Sequence, residues 1–196
     1  HRHAMGYFAQ AAQILLDCLF GIAIFLLVLR VLLQAARANF YNPVCQFLYK
    51  TTNPVLMPLR KLIPGWRNID IGALLLAWLL SAIKLALIYA LFGQRLGLLG
   101  LALMAFADLL DFVLVLVIGI VFVRVLLSFI SVERANPVVP LVYQITEPLL
   151  RPLRSKLPAL GGFDFSPLVV TLAILLARVL IVAPLLDVGM HLAQAA

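Results

Sequence analysis

A 29-residue stretch at 42–70 recurs at 136–164, displaced by 94 positions without a gap. Asn42-Pro43-Val44, Tyr49, Thr52, Pro54, Leu56, Pro58-Leu59-Arg60, Pro64 and Asp70 return as Asn136-Pro137-Val138, Tyr143, Thr146, Pro148, Leu150, Pro152-Leu153-Arg154, Pro158 and Asp164. Twelve of the 29 positions are identical. Unrelated segments do not match at that density, so the chain reads as a duplication: one unit that folds once and is then accommodated beside its own copy. Units at 5–94 and 95–196 follow, joined by the short linker Gly93-Gln94-Arg95-Leu96-Gly97.

What the unit is dissolved in follows from its side chains. Hydrophobic residues make up 65% of the chain and mean hydropathy is +1.13, against about 45–50% apolar content for soluble domains. The solvent for most of this chain is lipid. A hydrocarbon core about 30 Å thick asks for about 20 helical residues, and four stretches qualify, at 18–36, 71–94, 112–132 and 165–186. The fold class is therefore an all-α membrane protein with four transmembrane helices in two two-helix repeats. The duplication runs on into the spans, where Asp17 matches Asp111, Arg30 matches Arg124 and Lys84 matches Arg178. Because the apolar approach at 6–16 aligns with 100–110, the first and third helices are expected to run to about 30 residues and to tilt or project. The leading run is too long, and lacks the basic start, for a signal peptide. The fold is read from Met5 onward, leaving out His1 to Ala4.

An even number of spans per unit sends the second copy into the membrane in the same direction as the first, a parallel repeat. Both loops then share one side. Nine of the fifteen Lys and Arg fall in the loop regions 37–70 and 131–164, and the positive-inside rule assigns those loops to the cytoplasm and both termini to the outside. The net charge of +7 is thereby explained by topology and anionic lipid headgroups, without nucleic acid.

Inside each loop, Asn42-Pro43 and Asn136-Pro137 place a capping side chain ahead of a proline at the first helical position. The spacing predicts a short interfacial helix with Val44, Phe47, Leu48 and Thr51 on one apolar face, answered by Val138, Leu141, Val142 and Ile145. Pro54 and Pro148 should stop it, and the segments bracketed by Pro58 and Pro64, and by Pro152 and Pro158, leave room for a turn or two. Asp70 and Asp164 sit where a carboxylate caps the next span.

Ionisable groups in hydrocarbon cost at least about 2.5–3.5 kcal/mol unless paired or snorkelling, so Asp17, Arg30, Lys84, Asp111, Arg124 and Arg178 are the first candidates for chemistry. Arg30 and Arg124 lie within reach of Asp70 and Asp164. Lys84 and Arg178 are expected to pair with Asp17 and Asp111, and Asp108, unmatched in the first unit, to face outer solvent. Stacked pairs could form a polar path; as structural pairs they would only set helix depth. Tyr49 and Tyr143 suit an interfacial aromatic belt, and the basic turns at Arg60-Lys61 and Arg151 to Lys156 suit lipid phosphate or a partner. Cys18 and Cys45 lack a CxxC or a neighbouring His and read as apolar residues. His1, His3 and His191 form no ligand set, and no phosphate loop, GxSxG or catalytic Cys/His pair is present. An enzyme is not expected, nor any cofactor.

The loop signature resembles the YggT family (YggT/YlmG): Asn-Phe-Tyr-Asn-Pro at 39–43, Thr-x-Pro-x3-Pro-Leu-Arg-x3-Pro from Thr52, and Pro-Leu-Leu-Arg-Pro-Leu-Arg-x3-Pro-Ala-Leu-Gly-Gly-Phe-Asp-Phe-Ser-Pro at 148–167. The motif falls on Asn42, Pro54, Pro58, Arg60, Pro64 and Asp70 and on Asn136, Pro148, Pro152, Arg154, Pro158 and Asp164. The resemblance implies a bacterial inner-membrane protein tied to osmotic or extracytoplasmic stress, with plastid relatives linked to cytochrome assembly. With it goes the expectation of a non-enzymatic scaffold whose loops are a recognition surface for another membrane protein or a second copy. The alternative is a small ion channel or transporter element, its path lined by Arg30, Lys84, Arg124 and Arg178. The units differ at 65–68, where Trp66-Arg67 stands in place of Leu160-Gly161.

Overall fold

A computed structural model describes residues 2–131, 135–158 and 161–195, with side chains from Gly6 onward. Expectations that fall on His1, His3, Val132, Arg134 and Leu160 lie outside the described residues or side chains. The chain forms α1 (Arg2–Ala35), α2 (Pro43–Arg60), α3 (Ile71–Leu91), α4 (Leu98–Phe129), α5 (Val138–Arg154), α6 (Ser166–Ala177), a π-helical turn (Arg178–Val182) and α7 (Ala183–Gln194). α1, α3, α4 and the continuous α6–α7 segment are each long and apolar enough to cross a membrane. The protein is thus a multi-pass membrane protein. At 34 and 32 residues, α1 and α4 have the expected excess length, about 50 Å at 1.5 Å per residue.

The spans pack in the order α1, α3, α4, α6–α7, and α4 touches the most neighbours. Its tightest partner is α7. A Cβ added at Gly100 would lie 2.1 Å from the Ala193 amide nitrogen, and one at Gly189 would lie 2.8 Å from Met104 Cγ. Helices approach this closely in lipid, where no hydrophobic force joins them, only if small residues let the backbones touch. Gly97 N donates to Ala193 O at 2.9 Å at the same end.

α2 and α5 lie together at the opposite end. Leu33, Cys45, Leu48, Leu141 and Ile145 share one buried cluster, and Asn42 Nδ2 donates to the Pro137 carbonyl at 2.8 Å. Both loops therefore occupy one side, and the two units run parallel, as the even span count requires.

Three expectations need correction. Neither Pro54 nor Pro148 stops its helix: α2 runs through Pro54 and Pro58, and α5 through Pro148 and Pro152. Each proline pair is four residues apart and exposed, so the lost backbone bonds fall on the wet face while the opposite face stays buried. In the first unit that buried face is Cys45, Leu48, Thr52 and Leu56. This is a one-residue rotation from the expected set, and it leaves Phe47 61% exposed. The second unit buries Leu141, Val142 and Ile145 as expected, adds Thr146 and Leu150, and leaves Val138 exposed. Finally, the fourth span continues past 186 to Gln194. It does so through the π turn, where Ala183 N reaches back five residues to Arg178 O. The extra residue relieves the clash of Pro184 with the preceding turn. The first unit has Ala90 at that place and an uninterrupted α3.

Candidate functional site

Each repeat is fastened at its loop end by one guanidinium. Arg30, on α1, is 1% exposed. Its Nε donates to Asp70 Oδ2 at 3.2 Å, and its Nη1 donates to Thr52 Oγ1 and to Asn53 Oδ1, the latter at 2.8 Å. The guanidinium carbon lies 4.6 Å from the centre of the Tyr49 ring. Thr52 can accept because its own proton is spent on Leu48 O at 2.6 Å, a back-bond available to a helical threonine. Asp70 caps α3, accepting from Ala73 N at 3.1 Å on one oxygen and from Arg60 Nη2 at 2.8 Å on the other. One cation thus ties α1, α2 and α3 together, contacting a carboxylate, two neutral oxygens and a ring face.

The second repeat has the same plan with one change. Arg124 Nη1 donates to Thr146 Oγ1 at 2.8 Å, and its guanidinium lies 4.5 Å from the Tyr143 ring centre. Its Nη2 donates to Glu147 Oε2 at 2.8 Å. Glu147 is the counterpart of Asn53. With a carboxylate already on α5, Arg124 has no ion pair with Asp164; Arg154, the counterpart of Arg60, keeps its own contact with the aspartate, its Nε 3.0 Å from Asp164 Oδ2 and its Nη1 3.5 Å from Glu147 Oε1. Asp164 also accepts from Ser166 N and Oγ at 2.9 and 2.6 Å. The expected meeting of arginine and capping aspartate occurs in the first repeat and not in the second.

The loop carboxylates are held as anions. Burial pushes the Asp70 carboxyl up, yet the hydrogen bonds from Arg60 and Ala73 and the charges of Arg60 and Arg30 outweigh it, and its pKa lies below the ordinary aspartate value. Glu147 is lowered chiefly by its hydrogen bond from Arg124. For Asp164, burial is opposed by the Ser166 and Arg154 bonds, with a net lowering.

A second set of charges lies at the other end. Arg178 grips Asp111 with two bonds, Nε to Oδ1 at 2.6 Å and Nη2 to Oδ2 at 3.2 Å, as expected. Lys84 does not pair with Asp17. Its Nζ meets Asp108 Oδ2 at 2.8 Å, where the fully buried Ser81 hydroxyl also donates at 2.6 Å. Asp108, 31% exposed at its side chain, is therefore a partly buried ion-pair partner between repeats and not a residue free in outer solvent, because α3 packs against α4 as well as α1. Asp17 is exposed and forms no ion pair among the described residues; it borders a cleft of about 550 Å³ with Lys84 and Asp108. Between the two charged levels lie apolar layers: Ile24, Leu27, Val28, Ala73, Ala77 and Leu109 in one place, Val117, Val121 and Val170 in the other.

Sequence reasoning did not single out Asn53, Glu147 or Ser81, and gave four further residues no role or another one. Thr52 and Thr146 were visible as repeated residues without an assigned role. Tyr49 and Tyr143, expected in an aromatic belt, cover the arginines. Among the proline-rich loop residues, Arg60, Asp70, Arg154 and Asp164 join the charged junctions, and Asn42 joins the two loops. Pro54, Pro58, Pro148 and Pro152 lie on the exposed helix faces, and Pro64 and Pro158 follow the helix ends. Cys45 is buried and Cys18 exposed on its span.

A model of the family described as CCB3/YggT matches this chain twice, at residues 9–91 and 103–185. A Vibrio alginolyticus relative is 36% identical over 181 residues, covering 87% of this chain and 93% of its own. An Escherichia coli K12 relative printed as "Uncharacterized protein YggT" is 38% identical over 148 residues, covering 74% and 76%. A Pseudomonas aeruginosa relative is 37% identical over 174 residues, covering 88% of each. No solved structure matches.

Proposed function

The chain belongs to the CCB3/YggT family, and from that premise we propose that it is a non-enzymatic scaffold of the bacterial inner membrane, serving an assembly process or the osmotic-stress response that the family resemblance implies. The observation carrying this reading is how the intramembrane charges are used. Arg30, Lys84, Arg124 and Arg178 each hold a carboxylate at one of two levels, and packed apolar side chains separate the levels. A conducting route would need polar groups in those layers. The paired loops instead lie together at one end, where Phe40, Tyr41, Trp66 and Phe163 are exposed. Such a surface suits the membrane boundary together with another membrane protein or a second copy of this chain. By the positive-inside rule the loops are cytoplasmic and the termini periplasmic.

Proteoliposomes holding the purified chain alone test the reading. They are expected to pass K⁺, Na⁺, H⁺ and Cl⁻ no faster than empty vesicles. Protein-dependent flux that is lost in Lys84→Met would overturn it and favour a transport element, whose one supporting observation is Asp17, without an ion pair among the described residues, beside the cleft it shares with Lys84.

A further inference from the structure

We propose that the loop-side cleft of the first repeat is a binding site for a phosphate group, with Arg37 and Arg67 as its principal donors. The cleft has a volume of about 630 Å³, and Gln34, Arg37, Tyr49, Arg60, Arg67 and Asp70 are among its lining residues. Three guanidinium groups face one carboxylate. Behind Tyr49, whose ring covers it, lies the buried charge of Arg30, whose Nη2 has no hydrogen-bond partner among the described residues. Arg60 Nη2 is committed to Asp70. Arg37 and Arg67 form no ion pair among the described residues. Planar arginine forks match the oxygens of a phosphate, and a cleft with surplus positive charge selects an anion.

The backbone supplies an independent argument. Among the described residues, two non-glycine positions have positive φ, Arg37 at 54° and Arg67 at 55°, and both line this cleft. Arg37 terminates α1 in a Schellman motif: Ala38 N donates to Leu33 O and Arg37 N to Gln34 O, both at 3.0 Å. Its position is the one at which glycine is preferred. Arg67 is the first central residue of the turn closed by Ile69 N to Trp66 O at 3.1 Å. The second repeat puts Gly161 at the corresponding place, with φ 67°, a backbone conformation that glycine adopts without strain. Its counterpart of Arg37 is Ser131. Setting topology requires positive charge somewhere in the loop. It gives no reason to place two arginines at the two positions where glycine is the easier residue. The second repeat also sets Glu147 and Asp164 against Arg124 and Arg154; six Lys and Arg stand against one carboxylate in 30–70 and five against three in 124–164, so the larger cation surplus belongs to the first repeat.

The phosphate could be carried by a lipid headgroup or be free in solution. The intact protein in detergent is titrated calorimetrically with inorganic phosphate. In parallel, it is released from nanodiscs of phosphatidic acid and phosphatidylcholine, and the retained lipid is identified by native mass spectrometry. The variants are Arg37→Gly, Arg67→Gly and the pair together. Each single change is expected to weaken phosphate-group binding about tenfold, with melting temperature unchanged or raised, because glycine suits both backbone positions. Saturable inorganic phosphate binding that the double variant loses assigns a soluble anion. Retained phosphatidic acid that the double variant loses, without inorganic phosphate binding, assigns a headgroup. Equal binding by wild type and double variant in both arms overturns the site. So does a lower melting temperature in both glycine variants, which would mean the arginines are held for packing.

Discussion

Arg124 donates to Glu147 at 2.8 Å, and the residue that answers Glu147 in the first repeat is Asn53, which accepts from Arg30 at the same distance. This exchange of amide for carboxylate changes where each buried arginine finds its counter-charge. In the first repeat the arginine must find its counter-charge on the cap of α3, which draws Asp70 into the core. In the second the counter-charge is already on α5, and Asp164 stays near the surface with Arg154. Side-chain exposure records the result, 5% for Asp70 against 40% for Asp164.

The two junctions should respond differently to losing their carboxylate. Asp70→Asn keeps a capping oxygen but leaves Arg30 charged and buried, a loss of about 3–5 kcal/mol for a broken buried pair. Glu147→Gln removes a 41%-exposed partner and is expected to cost at most about 1 kcal/mol. Thermal unfolding in detergent measures both, and an equal or reversed order contradicts the asymmetry.

Acid should loosen the loop end. Asp70, Glu147 and Asp164 all have lowered pKa values, so their contribution is fully present above the ordinary carboxylate range. It is lost as pH falls below that range and through the depressed folded values. Melting temperature measured against pH should therefore be flat near neutrality and drop on acidification, with a shallower drop in Asp70→Asn. A rise in stability on acidification would contradict the sign.

At the opposite end, Lys84 should couple to Asp108 and not to Asp17. A double-mutant cycle of Lys84→Met with Asp108→Asn is expected to show an interaction of about 0.5–3 kcal/mol, whereas Lys84→Met with Asp17→Asn should be additive within about 0.5 kcal/mol. Coupling to Asp17 in place of Asp108 would overturn the pairing.

The α4–α7 contact tolerates no added atom at Gly100. Gly100→Ala drives a methyl group into the Ala193 backbone and should cost at least the about 1–3 kcal/mol of an overpacked core. Gly119→Ala, with nothing within 4 Å of the added carbon, should be neutral or stabilising. Equal melting temperatures for the two variants would show that α4 and α7 do not meet at Gly100.

What the sequence determined by itself is what depends on local chemistry and counting: four spans from apolar length, parallel units from a gapless 94-residue offset, and caps at Asn42 and Asp70 from side chains that bond within three residues. It also contained Arg30, Arg124 and the repeated threonines beneath them, because duplication repeats what each unit needs. Tertiary structure decided the partners. Asp17 and Asp111 correspond in sequence, yet Lys84 pairs with Asp108, because the first unit's α3 packs against α4 as well as α1. Likewise the prolines of α2 and α5 do not end their helices, since burial on one face outweighs two lost hydrogen bonds on the other. Duplication copies residues but not neighbours, and a charged side chain in lipid pairs with whichever opposite charge packing brings within reach.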